Sequence, residues 1–347
     1  MNREIDEFLQ EVLSRRRSTE LDKLIEFDVF CGRAEGKSHK TIDLTALALN
    51  RFRKFLWQNN LPTDAKMIGA ENIRAFILHL QSSKRFDGHP YARSQDKGLS
   101  GLSINAYLRA IRAAFNRWVH EGLLEISPFS KVKIPKAPKK VIPTFSEQQV
   151  DAFFRAIDTS TPEGFRDYTL FLLYLDTMCR LSEATNAAVE DLNLQERTLR
   201  IVGKGNRQRL VPFGVTVQKA LWKYLNLYRP EPAVPNHDYL FLTRDGRWLT
   251  KNRVEQAMKK YGQRAGITGV RCSPHTLRHT ACVMWIRSGG DIFSLQQITG
   301  HRSLEVLRGY INLAQCDIKS AHRRHSPIDN LDLRMPRTRR PKVTPCE

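Results

Sequence analysis

The segment from Lys131 to Pro143 constrains the fold of this chain more than any other feature. Prolines alternate there with lysines, and no apolar residue recurs with the period of a helix or a strand. Proline stiffens the backbone, and lysine favours contact with phosphates. A length of 347 residues also exceeds that of most single domains. We therefore predict one domain over residues 1–138, a second over residues 139–325, and a basic tail over residues 326–347.

The first domain is predicted to be helical. Apolar residues from Ser103 to Trp118 recur at alternating intervals of three and four, and similar patterns run from Thr41 to Trp57 and from Ala70 to Gln81. The core positions expected for the second of these helices are Leu44, Leu47, Phe52 and Phe55. The polar segment from Ser83 to Gly101 is predicted to be a loop.

A separate polar stripe follows the helix from Ser103 to Trp118. It consists of Asn105, Arg109, Arg112 and Asn116. Side chains of these types donate hydrogen bonds to phosphates and base edges, so we predict that the stripe contacts DNA. A solvated basic face gives the same pattern on an isolated helix, and the choice depends on what the second domain does.

The charge of the chain indicates a polyanionic partner. Lys and Arg number 56 against 36 Asp and Glu, which gives a formal net charge of +20. Lys and Arg near phosphates release condensed counterions, although a generically basic protein such as a ribosomal one has the same charge. The N-terminal residues lack the apolar stretch of a secretory signal, and no apolar run is long enough to span a bilayer. We expect a soluble protein of the bacterial cytoplasm, with no membrane partner.

The six cysteines are scattered and form no Cys-x-x-Cys pair, which disfavours a disulfide framework. The residue types of a zinc site occur together at Cys272, His275, His279 and Cys282. On one helix the two cysteines would be roughly 15 Å apart, at a rise of about 1.5 Å per residue, whereas zinc–sulfur bonds are about 2.3 Å long. We therefore predict no metal site.

The second domain begins with a helix and contains a hairpin. The sequence Ser146-Glu147-Gln148-Gln149 is a capping box, which predicts a helix start. The segments 199–202 and 207–212 flank a Gly-Lys-Gly-Asn turn, which predicts two paired strands with Lys204 at their tip. Helical patterns then resume to about His322.

Candidate catalytic residues lie at several places in the second domain. Cleavage of a phosphodiester by a side chain requires a nucleophile, cations on the nonbridging oxygens and an acid for the leaving oxygen. Ser273 and Pro274 predict a helix start with His275 in its first turn and Arg278 on the same face. A surface His and Arg at this spacing are ordinary, so the motif alone is weak.

Two further motifs carry reactive groups. Arg180 and Glu183 follow a long apolar run, where an arginine either covers the end of a core helix or points into a site; Cys179 is predicted to be a small core residue. Gly300-His301 ends a helix before Tyr310, a residue that could equally be a packed aromatic.

Together these residues resemble the active site of a known family. Taken in chain order, the set is Arg180, Lys204, His275, Arg278, His301 and Tyr310. It resembles the active-site set of the tyrosine recombinase, or phage integrase, family of site-specific DNA recombinases. The helical first domain also resembles the core-binding domain of that family, so the resemblance covers most of the chain. It implies a mainly helical fold with a small β-sheet, arranged as a two-domain C-shaped clamp around DNA.

The resemblance implies a role for each residue that meets the phosphate. Arg180 and Arg278 would hold the nonbridging oxygens, and Glu183 would support the first arginine. The imidazoles of His275 and His301 would bond the phosphate and assist proton movement.

The same resemblance implies the covalent chemistry and the partners. Tyr310 would form a 3′-phosphotyrosyl link that a second strand reverses, and Lys204 would protonate the leaving 5′-oxygen. No metal and no nucleotide cofactor are required. The partners would be double-stranded DNA, further protomers in a homotetramer on two DNA sites, and accessory DNA-bending or directionality factors. The outcome would be integration, excision or transposition of DNA.

Two positions depart from the family pattern, and two other functions stay open. Met178 stands where the family often has glycine, and Thr299 stands where leucine often precedes Gly-His. A DNA-binding regulator could keep the fold without cutting, although every reactive position here holds a competent residue. A type IB topoisomerase or a hairpin-forming resolvase shares the chemistry, and a topoisomerase would relax any supercoiled plasmid.

Overall fold

A computed structural model describes residues 18–85, 95–136, 143–203, 208–235 and 238–301, and single positions beyond these. The latter are residues 303, 304, 307, 309, 310, 322, 323, 326–329 and 331. Predictions for Lys204, for most of the tail over residues 326–347 and for residues 86–94 and 137–142 lie outside the described residues. The chain divides into two compact units, residues 1–140 and 141–347.

The described residues of the unit 1–140 form four α-helices. They are α1 (Leu21–Ala34), α2 (His39–Gln58), α3 (Ala70–Ser82) and α4 (Gly101–His120), followed by a short 3-10 helix at Pro128–Lys131. All three helices expected from the apolar period are confirmed. Ser38 and Ser100 begin α2 and α4 by accepting hydrogen bonds from backbone N–H groups three residues ahead.

Aromatic side chains fill the core of this unit. Phe52, Phe76, Phe115 and Trp118 are fully buried, and the rings of Phe52 and Phe76 meet edge to face with centroids 4.9 Å apart. Burial of each such side chain contributes about 1.5–3 kcal/mol relative to an exposed one.

The prediction that Leu44 and Leu47 belong to this core is wrong. They are 38% and 56% exposed, whereas Phe52 and Phe55 are buried as expected. The buried face of α2 follows Ile42, Leu49, Phe52 and Leu56. Two apolar stripes compete in this helix, and the packing of α1 and α4 selects one of them.

The prediction that the whole segment from Ser83 to Gly101 is a loop is wrong. Strand β1 (Lys84–Arg85) pairs antiparallel with β2 (Gln95–Gly98). Pairing here satisfies backbone groups and involves too few residues to leave a side-chain period, so the sequence pattern does not reveal it.

The unit of residues 141–347 is also mainly helical and contains a small sheet. Its helices are α5 (Glu147–Arg155), α6 (Pro162–Thr177), α7 (Leu181–Asn186), α8 (Val215–Lys223), α9 (Lys251–Arg264), α10 (Pro274–Arg287) and α11 (Ile292–Thr299). A 3-10 turn lies at Val189–Asp191, and a π-helical turn at Tyr224–Tyr228 continues α8. The capping box is confirmed, because Ser146 Oγ accepts from Gln149 N while Gln149 Oε1 accepts from Ser146 N.

The sheet has three antiparallel strands in the order β3 (Leu192–Asn193), β4 (Thr198–Val202) and β5 (Gln208–Pro212). Leu199 pairs with Val211 and Ile201 with Arg209, which confirms the predicted hairpin. The alternating buried positions Leu199, Ile201 and Val211 face the main core of this unit.

A second, smaller core lies at the end of α6. It consists of Met178, Ala281, Cys282, Val283, Ile286, Leu295, Leu307 and Tyr310. Residues from α6, α10, α11 and the stretch after α11 therefore meet at one place. In the part of the chain that the structure describes, no helix is both long enough and apolar enough to cross a bilayer.

Candidate active site

Helix α10 begins at Pro274, after the capping residue Ser273, as the sequence predicts. Ser273 Oγ accepts a hydrogen bond from Thr276 N at 3.3 Å, and Pro274 occupies the first helical position. His275 therefore lies in the first turn and is exposed, whereas Arg278 is only 4% exposed. The two residues share a helix face but differ in access to solvent.

Arg278 has a buried guanidinium that is only partly satisfied. Its Nη2 donates to the carbonyl oxygen of Thr299 at 2.9 Å and lies 3.3 Å from His301 Nε2. Its Nη1 is buried and has no hydrogen-bond partner among the described residues. A buried charged donor without a partner is costly, so this nitrogen is suited to an incoming anion.

Arg180 and Arg278 bind neighbouring carbonyls. Arg180 caps α7, and its Nη2 donates to the carbonyl oxygen of Gly300 at 3.1 Å. Since Arg278 binds the carbonyl of the preceding residue, both guanidinium groups are anchored at the end of α11. Two cations held so close repel each other, and an anion between them relieves that repulsion.

Glu183 orients Arg180 and is almost completely buried. Its carboxylate accepts from Arg180 N at 2.7 Å, from Arg180 Nη1 at 2.8 Å and from Arg209 Nη2 at 2.8 Å. Burial opposes ionisation of Glu183, but the hydrogen bonds and charges of Arg209 and Arg180 outweigh it and hold its pKa below the ordinary value.

Arg209 is a site residue that the sequence interpretation did not identify. It binds Glu183 through both Nη atoms and donates from Nε to the carbonyl oxygen of Ile298 at 3.0 Å. Gly300, with φ 66°, leaves room for it, since a Cβ there would lie 3.0 Å from Arg209 Cζ. The available signal was an arginine two positions from Val211, on the core-facing side of β5.

The histidines of the site are neutral around pH 7. Burial, followed by the charges of Arg278 and Arg180, lowers the pKa of His301 to about 4. Burial and the neighbouring His275 and Arg278 lower the pKa of His279 to about 4, and burial and Arg278 also lower the pKa of His275. Neutral imidazoles can accept protons, and a bound phosphate would favour their charged forms.

His279 links the first turn of α10 to Tyr310. Its Nε2 lies 2.7 Å from His275 Nε2, and its ring centroid is 5.1 Å from that of Tyr310. The sequence interpretation considered this residue only as a metal ligand. Cys272, by contrast, lies against Gly262 on another helix, and the described residues include no cluster of three side chains arranged as a metal site.

Tyr310 is packed in the second core rather than exposed to solvent. It is 3% exposed, its ring centroid is 6.2 Å from that of His301, and its hydroxyl bonds to the thiol of Cys282. Burial, together with Cys282, raises the pKa of Tyr310 well above its ordinary range. The phenol is therefore protonated at neutral pH and needs a base to become a nucleophile.

Met178 adopts the backbone conformation that explains a glycine preference at this position. Its φ of 49° and ψ of 28° place it in the left-handed region at the end of α6. That conformation costs a residue other than glycine roughly 1–2 kcal/mol. Its side chain is 3% exposed and packs in the same cluster as Tyr310, which offsets the cost. Cys179 is fully buried, as predicted.

The polar stripe of α4 is shorter than expected. Arg109, Arg112 and Asn116 are exposed, but Asn105 is only 8% exposed. Asn105 lies next to the buried Ile104, and its side chain falls within the core-facing surface of the helix.

Comparison with known proteins finds similar sequences over most of the chain. The model of the phage integrase family matches residues 143–316, and that of the phage integrase SAM-like domain matches residues 23–134. Tyrosine recombinase XerD of Xanthomonas campestris pv. campestris is 31% identical over 256 residues, covering 72% of this chain and 79% of that relative. Tyrosine recombinase XerC of Bacillus subtilis is 31% identical over 235 residues, covering 67% and 77%.

Solved structures show the same fold. XerH site-specific recombinase bound to a palindromic difH substrate aligns with a TM-score of 0.67 at 20% identity, covering 92% of this chain and 88% of that one. The Tn1549 transposon integrase in complex with a circular intermediate DNA aligns with a TM-score of 0.65 at 20% identity, covering 90% and 100%.

Proposed function

Because the chain belongs to the phage integrase family, we propose that it is a site-specific DNA recombinase that cleaves and rejoins DNA strands through Tyr310. Relatives named as tyrosine recombinases cover most of its length. The DNA complexes of the structural neighbours support double-stranded DNA as its partner.

One observation carries the assignment to this site: the buried Nη1 of Arg278, which has no hydrogen-bond partner among the residues that the structure describes, lies at the same helix end as the guanidinium of Arg180. Glu183 pairs with both Arg180 and Arg209, so its single negative charge is already shared between two cations when a substrate arrives. A phosphodiester supplies the missing negative charge and two nonbridging oxygens. Planar guanidinium groups suit such oxygens because they donate parallel hydrogen bonds.

The proposed reaction starts with the phosphate held by Arg180 and Arg278. The hydroxyl of Tyr310 attacks phosphorus, the bond from phosphorus to the 5′-oxygen breaks, and the phenolic proton passes to a neutral imidazole. Lys204, which lies outside the described residues, is proposed as the acid that protonates the leaving 5′-oxygen. The 3′-phosphotyrosyl diester keeps the energy of the original bond, so a 5′-hydroxyl of a second strand can reverse the step.

The position of Tyr310 implies a local rearrangement before attack. Its hydroxyl bonds to Cys282 inside an apolar cluster, whereas the proposed phosphate site lies at the C-terminal end of α11, where Arg180 and Arg278 are anchored. The hydroxyl must exchange the thiol for the phosphate, and the negative charge at phosphorus is then met by the two arginines.

The remaining partners are inferred from the family chemistry. We propose that the exposed residues Arg109, Arg112 and Asn116 contact DNA, and that residues 1–138 and 139–325 act as the DNA-binding and catalytic domains. Exchange of strands between two sites requires four cuts, so a homotetramer on two DNA sites is proposed, with accessory DNA-bending or directionality factors. The reaction would occur in the cytoplasm, and its outcome would be integration, excision or transposition.

Sequencing of the DNA that the Tyr310→Phe variant binds identifies the protein's own DNA site. The proposal is then tested by trapping the covalent adduct on nicked DNA that carries this site. The parental protein is expected to give a denaturant-resistant protein–DNA band, and Tyr310→Phe to bind DNA with nearly unchanged affinity but give no band. The control Tyr168→Phe removes the hydroxyl of a tyrosine that packs on Phe154 and Phe165, and it should give the band. A persistent band in Tyr310→Phe would assign the nucleophile to another residue.

A further inference from the structure

Thr299 is fully buried between the end of α11 and His301. Its hydroxyl oxygen lies 2.6 Å from the carbonyl oxygen of Leu295 and 2.8 Å from His301 Nδ1. Its own carbonyl accepts the hydrogen bond from Arg278. The residue thus contacts both groups that meet at the proposed phosphate site.

Only one arrangement lets the hydroxyl of Thr299 form hydrogen bonds with both Leu295 and His301. It has one proton, and the carbonyl of Leu295 can only accept, so the proton lies on the 2.6 Å bond to that carbonyl. The oxygen then presents a lone pair to His301 Nδ1. For this contact to be a hydrogen bond, Nδ1 must carry the imidazole proton.

Arg278 imposes the same assignment from the other side of the ring. Its Nη2 lies 3.3 Å from His301 Nε2, and a guanidinium can only donate. Nε2 must therefore present a lone pair. If Nε2 carried the proton, that N–H would point at the N–H of Arg278, so two donors would face each other. The lone pair of Nδ1 would then face a lone pair of the Thr299 hydroxyl.

We propose that Thr299 is a positioning residue that holds His301 as the Nδ1–H tautomer and directs the basic Nε2 towards Arg278. Its catalytic consequence rests on the proposed function. Once the phosphate replaces Nε2 as the acceptor for Arg278 Nη2, the Nε2 lone pair of His301 is free. The phenolic proton then moves to it as the bond from Tyr310 to phosphorus forms and the bond to the 5′-oxygen breaks. The leaving oxygen takes its proton from the separate acid, and the imidazolium, now a donor at Nε2, bonds the phosphate.

The tautomer can be read directly from the ring nitrogens of the full-length protein labelled with 15N-histidine. The His301→Gln variant identifies the signals of His301 by their loss. We expect a protonated Nδ1 and a lone-pair Nε2 in the parental protein and in Thr299→Ser, which keeps the hydroxyl. Thr299→Val has the same shape without the hydroxyl, so Nδ1–H loses its acceptor and only Arg278 still favours that tautomer. Its His301 signals should therefore show a larger Nε2–H fraction than in the parental protein.

Thr169→Val is a matched control. Thr169 is also fully buried in a helix and donates to a carbonyl four residues back, at 2.8 Å, but that hydroxyl contacts no imidazole. The Thr169→Val variant should therefore leave the His301 signals unchanged. A parental protein with Nε2–H, or a Thr299→Val variant that keeps Nδ1–H, would overturn the proposal.

The catalytic consequence is measured as the rate of adduct formation on nicked DNA. Thr299→Val should slow it by about 10-fold or more, less than the roughly 10²–10⁴-fold lost with a whole acid–base group, and Thr299→Ser should lose less. Thermal unfolding reports whether the variants fold. If Thr299→Val does not fold, the spectra of the parental protein and of Thr299→Ser decide the tautomer. Slower cleavage without a change of tautomer would mean that Thr299 acts through packing. An Nδ1–H parental protein that forms no adduct would refute the proposed function while supporting the tautomer.

Discussion

Replacement of Glu183 by glutamine tests the electrostatic centre of the site, because it removes one charge and keeps the shape of the side chain. The carboxylate is 4% exposed and pairs with Arg209, whose side chain is 17% exposed. Loss of one partner from a buried ion pair costs about 3–5 kcal/mol. The pair with Arg180, which is 46% exposed, adds at most about 1 kcal/mol because solvent screens it.

The expected loss of stability is about 3 kcal/mol at pH 7, at the lower end of that range because the glutamine amide oxygen still accepts a hydrogen bond. The loss depends on pH in a fixed direction. The pKa of Glu183 is lower in the folded protein than its ordinary value of 4.5, so its contribution is present above that value. It disappears as the pH falls through the folded-state pKa, and the parental protein and the variant should then converge.

The assay is urea unfolding followed by circular dichroism at pH 7 and at pH values below 4.5. Hydrogen exchange of peptides from α7 and β5 assigns the affected transition to residues 141–347. Glu190→Gln is the control, because Glu190 is 79% exposed and its pair with Arg200 should be worth less than about 1 kcal/mol. A difference that persists unchanged into acid, or an equal effect of Glu190→Gln, would refute the reasoning.

Three other outcomes are expected. Lys204→Ala should cleave ordinary DNA about 10²–10⁴-fold more slowly, but cleave DNA with sulfur at the 5′-bridging position near the parental rate, since a thiol with a pKa of about 8.5 leaves without an acid. Arg180→Ala should show no such rescue, and rescue of both variants or of neither would assign the acid elsewhere. Chelators should leave adduct formation unchanged because arginines meet the charge of the phosphate, a result contradicted by loss of activity that zinc or magnesium restores. Removal of residues after Asp329 should reduce assembly and recombination more than binding to a single site, and equal losses would make the tail a simple DNA contact.

Local patterns predicted the elements well where one apolar stripe dominates. Helix α4 and the start of α10 follow from their own spacing and capping residues, because hydrogen bonds within a few positions decide them. Helix α2 carries two apolar stripes, and Leu44 and Leu47 were assigned to the core although they are exposed. The helices that pack on α2 decide which stripe is buried, and one of them, α4, is distant in sequence.

The order of reactive residues along the chain was sufficient to identify the family and to nominate Arg180, His275, Arg278, His301 and Tyr310. The sequence could not reveal Arg209, whose bond to Glu183 joins residues that are 26 positions apart. Nor could it show that the carbonyls of Thr299 and Gly300 anchor the two arginines, or that Tyr310 is packed against Cys282.

The sequence by itself determined which reactive groups are present, in what order, and on which helix starts they lie, because side-chain chemistry and capping are local properties. Only the tertiary structure decided their charge states and partners. The pKa of His301 depends on burial and on Arg278 and Arg180, and the proton on its ring depends on the hydroxyl of Thr299. Those effects act over a few ångströms between elements distant in sequence, so they exist only once β5, α7, α10 and α11 have packed together.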